Sequence, residues 1–273
     1  MLIEKATSLG ILSAARKTQS NYSKVLEKLS TGLRINRASD DASGLSVSEE
    51  MRTQIRGYQA ANVNIDYAQA AQSIAEGTGN ETTSILQRQR ELALQASNGT
   101  LNQSNRDALN QEYQQLNAEL TRISGSAQFN TQNVANGQGL AAGGGQVLAG
   151  PNPGSELPIQ GADFTAANLG TAATDISNPA NAQNALTAVD NAIKNVSSQR
   201  TDIGANMNRM EFAAQANTNA AINTQDAESR LRDQDFAEGV MQATRDQLLN
   251  QSALLSLRNF NEISRNNMMA LLQ

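Results

Sequence analysis

Apolar positions in the first part of the chain recur at helical spacing. Leu12, Gln19, Leu26 and Leu33 fall seven residues apart, and Ala15, Tyr22 and Leu29 occupy the alternate line. Gln19 is the one polar residue among them, so the pattern predicts a coiled-coil face over 9–33; a plain two-helix hairpin accounts for it equally well. Gly32 weakens the helix, and Ser39-Asp40-Asp41 offers N-cap oxygens for the next one. The stretch Leu29 to Gly44 mixes Arg34, Arg37, Asp40 and Asp41 with two glycines. It predicts a non-helical connector, either a solvated turn or a segment whose charges pair with a neighbour. A long helix resumes from about Leu45 to Ala75 through Met51, Ile55, Tyr58, Ile65 and Ala68. Gly77-Thr78-Gly79 predicts a weak spot, with a restart at Glu81 carrying Ile85, Leu86 and Leu92. Asn98-Gly99 predicts a stop, because both residues tolerate the left-handed conformation that ends helices. After a short loop, Thr100 to Asn105, the positions Leu109, Tyr113, Leu116, Leu120 and Ile123 follow at spacings of 4, 3, 4 and 3. That seam predicts a helix antiparallel to the one before it.

The stretch Gly125 to Asn181 breaks the pattern. It holds all four prolines, Pro151, Pro153, Pro158 and Pro179, and a Gly143-Gly144-Gly145 run. Short extended pieces at Phe129 to Val134, Gln146 to Ala149 and Leu157 to Gln160, bounded by Gly, Pro and Asn, predict one or two β-hairpins. Gly137-Gln138-Gly139 lacks the third glycine and the strand–turn–helix setting of a nucleotide loop. The second arm, about 182–273, opens on the best seam in the chain: Leu186, Val189, Ile193, Val196, Arg200, Ile203, Met207 and Met210. Such a stripe requires a partner helix. The last helix carries Met241, Leu248 and Leu255 at seven, then Leu257, Phe260, Ile263, Met268 and Leu271. This stripe is broad and interrupted, which suits a helix touching several neighbours. Two proline-free helical arms around a breaker-rich middle predict a chain that goes out, turns and returns, with its ends side by side.

Composition narrows the functions this architecture can serve. Aromatics are 3% and Trp is absent, so slim helices packed through small and aliphatic residues are expected rather than a wide core. With no Cys and no His, disulfides, thiol chemistry, Ser-His-Asp triads and the usual zinc sites are excluded. No loop has the spacing of a calcium hand, and no cofactor is expected. The net charge of −5, with scattered basic residues, argues against a nucleic-acid partner. No apolar run is long enough for a membrane span, and Met1-Leu2-Ile3-Glu4-Lys5 does not begin a signal peptide, so export would use a route without a cleaved leader. Glu49-Glu50 and Asp40-Asp41 are adjacent carboxylates, but sequence neighbours point apart on a helix and make a poor catalytic pair. An enzyme is not expected.

Several blocks resemble the bacterial flagellins. Leu29-Ser30-Thr31-Gly32-Leu33-Arg34-Ile35-Asn36, with Ala38 and Asp40-Asp41-Ala42-Ser43-Gly44, resembles their N-terminal signature. Leu86-Gln87-Arg88-Gln89-Arg90-Glu91-Leu92-Ala93-Leu94-Gln95 is similar to their next block, and Gln128-Phe129-Asn130 to the junction after the third helix. Ser229-Arg230-Leu231-Arg232-Asp233-Gln234-Asp235-Phe236-Ala237 resembles the C-terminal signature, and Ala270-Leu271-Leu272-Gln273 the terminal ending. The blocks stand in family order across both arms. Two departures lie in the terminal helices: Ile3-Glu4-Lys5-Ala6-Thr7 replaces an Asn/Thr-rich leader, and Ser264-Arg265-Asn266-Asn267 stands where an Asn-x-x-Pro turn is usual.

The resemblance implies a mainly α fold, an elongated antiparallel helical bundle or coiled coil with paired N- and C-terminal helices and a small β-hairpin region in the middle. The expected divisions are an inner helix and connector (1–40), an outer rod (41–124), a short variable region (125–181), the returning rod (182–234) and a second inner helix (235–273). It implies a self-assembling filament subunit that serves motility, secreted unfolded through the flagellar type III apparatus to the bacterial flagellum, external or, in a spirochaete, periplasmic. Assembly residues are expected at Leu12, Leu26, Leu29, Arg34, Asp40, Asp41, Leu248, Leu255 and Leu271. Arg34, Arg37, Asp40 and Asp41 are expected to link inner and outer layers. The arms 1–40 and 235–273 are expected to order only on addition to the filament. Expected partners are other copies of the chain, hook-junction and filament-cap proteins, and an export chaperone on the C-terminal arm; Arg90, Leu94 and Glu112 match positions that a host innate immune receptor reads. Packing between subunits is an equally good reading of those three. The rival readings are a hook–filament junction protein and a flagellin-like surface receptor for polysaccharide.

Overall fold

The computed structural model describes residues 2–138, 145–159 and 161–270, with side chains for 8–138, 145–159, 161–266 and 269. Among the described residues five helices and four short strands follow one another: α1 Leu2–Thr31, α2 Ala42–Ala96, α3 Gln103–Ser126, β1 Gln128–Phe129, β2 Gln132–Asn133, β3 Gly145–Leu148, β4 Glu156–Ile159, α4 Pro179–Arg232 and α5 Phe236–Ala270. The mainly helical chain with paired terminal helices and a β-hairpin region in the middle is thereby found. Gly139, Gly143, Gly144, Gln160 and Leu271 to Gln273, and the side chain of Met268, lie outside the described residues. The chain forms two compact units, residues 1–53 with 223–273, and residues 54–222.

In the first unit α1 packs along α5. A β-carbon at Gly239 would stand 2.7 Å from Leu29 Cδ2, and the side-chain amide of Asn250 donates to Gln19. Position falls from 29 to 19 on α1 while it rises from 239 to 250 on α5, so the two helices run antiparallel. The connector is narrower than the sequence indicates, since Leu29–Thr31 complete α1 and Ala42–Gly44 already belong to α2. Gly32, at φ +72°, ends α1 in the left-handed region. The chain then meets the end of α4: Leu33 and Asp233 form an antiparallel bridge, Arg34 N donates to Arg232 O at 2.6 Å, and Gln234 N donates to Gly32 O at 2.9 Å. Asp41 Oδ1 accepts from Gly44 N at 2.8 Å and caps the first turn of α2. Ile35 is buried there, against Gly44, where a β-carbon would lie 2.8 Å from Ile35 Cδ1.

In the second unit, α2, α3 and α4 share one core. Leu86, Leu92 and Ala96 of α2 and Tyr113 and Leu120 of α3 join Val189, Val196 and Ile203 of α4. The seam read in α4 is real, with Leu186, Ile193 and Met207 half-buried at its edges. α2 corrects one expectation, because Gly77-Thr78-Gly79 does not interrupt it. A β-carbon at Gly79 would lie 3.0 Å from Arg200 Cγ and 3.1 Å from Phe164 Cζ. That glycine permits close packing, and the packing offsets the ~1 kcal/mol lost in helix propensity. The piece read as extended from Phe129 to Val134 is instead a hairpin of its own. Asn130 and Thr131, at φ 48° and 65°, turn between Phe129 and Gln132, as a two-residue hairpin loop requires. The second hairpin pairs Gly145 with Ile159 and Leu148 with Glu156. Its Ile159, with Ala149, joins Ile65, Ala68 and Met210 in a smaller core.

Residues 161–178 form no helix or strand, yet they supply Phe164, Leu169 and Ile176 to the main core. A polar stripe on α3 holds this segment. Asn110 Oδ1 accepts from Ile176 N at 3.0 Å, Tyr113 bonds the Thr174 hydroxyl at 2.7 Å, and Gln114 and Asn117 donate to the carbonyls of Thr174 and Thr171 at 2.8 and 3.0 Å. These positions recur at 3–4 spacing, so one face of α3 replaces the hydrogen-bond partners that a strand would have given the segment.

Candidate assembly surface

The two faces of α5 differ in kind. The face toward α1 runs through Gly239, Gln242, Asp246, Asn250, Ala253 and Leu257, all buried or half-buried. Most of these are small or polar, which lets α1 approach closely. The seven-residue line Met241, Leu248 and Leu255 does not carry the pairing: Leu248 is 60% exposed and Leu255 61%. Val240, Leu249, Leu254 and Ile263 are also more than half exposed. With Arg245 and Ser252, the upper part of this face forms a shallow hollow. Burying each such side chain contributes about 1.5–3 kcal/mol before chain entropy is subtracted. Large contiguous apolar patches left exposed on a protein surface generally mark interaction sites.

α1 contributes less to the open side. Leu26 is 43% exposed, whereas Leu12 and Leu29 are half-buried and Ala15 is buried. Arg34 lines a polar cleft together with Lys24 and Lys28 of α1 and Glu238, Gln242 and Asp246 of α5. Its Nη2 donates to Leu231 O at 2.7 Å. Arg37 pairs with Glu27 at 2.8 Å. Asp40 accepts from the backbone amides of Asn36 and Arg37 at 3.3 and 3.1 Å. Burial works against its charge, but those two amides, aided by Lys28 and Lys24, outweigh it and hold the carboxyl below its ordinary value. Asp41 is occupied as the α2 cap. Arg34 and Arg37 thus tie the connector to α4 and α1, while Asp40 bonds within it and Asp41 caps α2. The link at its other side is Arg232 to Glu49 at 3.2 Å.

Arg90, Leu94 and Glu112 lie on the second unit. Arg90 Nε donates to Asp190 of α4 at 2.7 Å. Glu112 is held by Arg88, not by Arg90, through Nε and Nη2 at 2.9 and 2.8 Å. Bonding to Glu112 first, then to Glu91, raises the Arg88 guanidinium above its ordinary value. Leu94 is 47% exposed. Two residues along a helix is about 200°, so Arg88 and Arg90 reach opposite neighbours, α3 and α4. The sequence reading missed the buried polar cluster between these helices. Gln89 Nε2 donates to Asn117 Oδ1 at 2.9 Å, with both residues buried. A signal was present, because Gln89 lies in the register of Leu86, Ala93 and Ala96 and Asn117 in that of Tyr113 and Leu120.

Among the described residues no group of His, Cys, Asp and Glu is placed to hold a metal, and no helix is long and apolar enough to cross a membrane. The arrangement defines a class of protein: a helical subunit that pairs its first and last helices and leaves a long apolar stripe exposed on the last. The family follows from comparison with known proteins. Residues 4–139 match the bacterial flagellin N-terminal helical region, and residues 186–272 match the bacterial flagellin C-terminal helical region. The chain is 44% identical over 241 residues to a flagellin of Halalkalibacterium halodurans, covering 88% of each chain. It is 39% identical over 258 residues to the flagellar filament 33 kDa core protein of Treponema phagedenis, covering 90% of each. The fold is shared with the crystal structure of Bacillus cereus flagellin at a TM-score of 0.51 and 24% identity, over 57% of this chain and 88% of that one. It is also shared with a putative flagellar hook-associated protein from Vibrio parahaemolyticus at a TM-score of 0.54 and 16% identity, over 71% of this chain and all of that one. The chain belongs to the bacterial flagellin family and is a structural subunit of the flagellar filament.

Proposed function

We propose that the apolar stripe of α5 is the surface through which copies of this chain add to one another. Leu248 and Leu255, at the centre of the stripe, carry the reading, since side chains so exposed in one subunit require cover in a stable assembly. Leu26 extends the surface on α1, and Leu271 continues the stripe in sequence. Leu12 and Leu29 act by holding α1 against α5. The contact is heterologous, since a non-closing join of unlike patches builds a filament rather than a ring. The arms 1–40 and 235–273 order as they join, with burial offsetting the lost chain entropy. Arg34, Asp40 and Asp41 keep the connector in shape for that step.

The chain is exported unfolded by the flagellar type III route, with a chaperone on the C-terminal arm, and joins hook-junction proteins at one end and a cap at the other. Arg90, Leu94 and Glu112 form the candidate patch for a host receptor. The deciding experiment is electron microscopy of purified protein after seeding or salting-out. Filaments are expected from the intact chain and none from a chain lacking residues 1–40. Filaments from the truncated chain would refute the reading.

A further inference from the structure

Two Asn-Gly pairs occur in exposed or half-buried positions, Asn98-Gly99 in a turn and Asn136-Gly137 beside a bridge to Asp163, and the structure treats them differently. Asn98 lies just beyond the end of α2 and is exposed, as is Gly99. Its Oδ1 accepts two hydrogen bonds from Thr100, from the backbone N at 3.1 Å and from Oγ1 at 2.9 Å. A bond from side chain i to backbone i+2 folds the carboxamide over the peptide nitrogen between them. That nitrogen is Gly99 N, which donates no hydrogen bond among the described residues, and the space above Gly99 is open. At the other pair, Asn136 Oδ1 accepts one bond, from Gln138 N at 2.9 Å. Gly137 N donates to Ala162 O at 3.2 Å, and Asp163 Oδ2 stands 2.6 Å from where a β-carbon would be. The second pair therefore has the sequence but not an available nucleophile.

We propose that Asn98 is a site of self-catalysed deamidation. Gly99 N loses its proton and attacks Asn98 Cγ, forming an N–Cγ bond. Negative charge gathers on Oδ1, where the two Thr100 donors already point; fixed donors aimed at a developing oxyanion lower the barrier. The Cγ–Nδ2 bond then breaks, and Nδ2 leaves as ammonia with the proton taken up from solvent. Water opens the resulting five-membered imide at one carbonyl to give aspartate or at the other to give an isoaspartyl link. No oxidant or reductant is needed. The product places a carboxylate at the C-terminal end of α2, where the helix dipole disfavours it. Arg106 is the cation beside it, its Nε and Nη2 donating to the carbonyls of Ala96 and Asn98 at 3.2 and 3.1 Å. The isoaspartyl form also lengthens the turn between α2 and α3 by one backbone carbon.

The test is to age the intact folded chain at mildly alkaline pH and map tryptic peptides by mass spectrometry, with enzymatic methylation to count isoaspartyl groups. Asn98 is expected to convert well ahead of Asn136. In chain held in denaturant the two should convert at similar rates, and folding should speed the first and slow the second. Thr100→Val should slow Asn98 conversion by about tenfold, the worth of one hydrogen bond to the developing charge. Gly99→Ala, which meets nothing within 4 Å, should slow it further without disturbing the fold. Conversion of Asn98 no faster in the folded chain than in denaturant would overturn the proposal, as would an unchanged rate in Thr100→Val.

Discussion

Gly239 on α5 and Leu29 on α1 touch so closely that a β-carbon at 239 would stand 2.7 Å from Leu29 Cδ2 and 3.3 Å from its Cγ. The absence of a side chain there sets the approach of the terminal helices at one end of their contact. Gly239→Val should therefore loosen the pair, at a cost of about 1–3 kcal/mol for overpacking. Hydrogen exchange in filaments of the variant should show faster opening of α1 and α5 with α3 unchanged. Gly10→Ala, whose β-carbon would meet nothing within 4 Å, is the control and should not loosen them.

The Gln89–Asn117 bond lies wholly inside the second unit. Asn117→Ala should cost about 1–3 kcal/mol by leaving the Gln89 amide without its partner. Thr171 O loses little, because Thr174 N and Oγ1 also donate to it at 3.1 and 2.7 Å. Gln89 Oε1 is already buried and unpaired. Replacing both residues, Gln89→Leu with Asn117→Leu, should recover most of the loss. Thermal unfolding of Gln89→Leu, Asn117→Leu and the double variant gives the coupling directly.

Gly77 and Gly79 lie two residues apart in the same unbroken helix, yet substitution should move stability in opposite directions. A β-carbon at Gly77 meets nothing within 4 Å, so Gly77→Ala should stabilise by roughly 0.5–1 kcal/mol. Gly79→Ala should destabilise, because Arg200 and Phe164 occupy the space. Melting curves of the two variants, compared with the parent, decide it.

That pair also shows what the sequence could reveal. Where burial follows a single helix period, as in Val189, Val196, Ile203 and Met210, the residues announced the core correctly. Two glycines close together read as a break, because propensity is local and the packing that overrules it comes from Phe164, over eighty residues away. Phe164 and Ile176 were themselves illegible, since the segment that carries them has no period. On α5 the leucines were visible but their direction was not. Heptad spacing identifies a face without saying whether the partner is α1 or another molecule, and the small and polar residues between them took the place against α1.

Asp175 makes stability depend on acid. Its carboxylate accepts from Ser177 Oγ at 2.6 Å, Asn181 Nδ2 at 2.8 Å and Ser177 N at 3.0 Å, just ahead of α4. The Ser177 hydroxyl, then the Asn181 amide, then the Ser177 backbone amide hold its pKa below the ordinary value, against the opposing effect of burial. A depressed folded pKa stabilises the fold above the unfolded value of about 3.9, and that contribution is lost as pH falls through the folded pKa. Asp175→Asn should lower the Tm at neutral pH. The gap from the parent should close as the pH drops below about 4. A gap that stays constant through that range would show that the bonds to Asp175 do not depend on its charge.

Leu248 and Leu255 provide the sharpest test of how the subunit associates, because they face away from α1 and their substitution should leave the subunit fold alone. Each is about 60% exposed, so a charge at either position is solvated in the free chain. In a filament the same charge would be buried without a partner, a cost of several kcal/mol per site. Leu248→Glu with Leu255→Glu should therefore abolish polymerisation while leaving helical content and the melting of the second unit unchanged. Leu257→Glu, on the half-buried side of α5, should act differently by weakening the α1–α5 pair first. Electron microscopy of seeded samples, with hydrogen exchange of α1 and α5 in any filaments formed, separates the two effects. If the double variant still forms filaments of normal length, the stripe on α5 is not the growing contact.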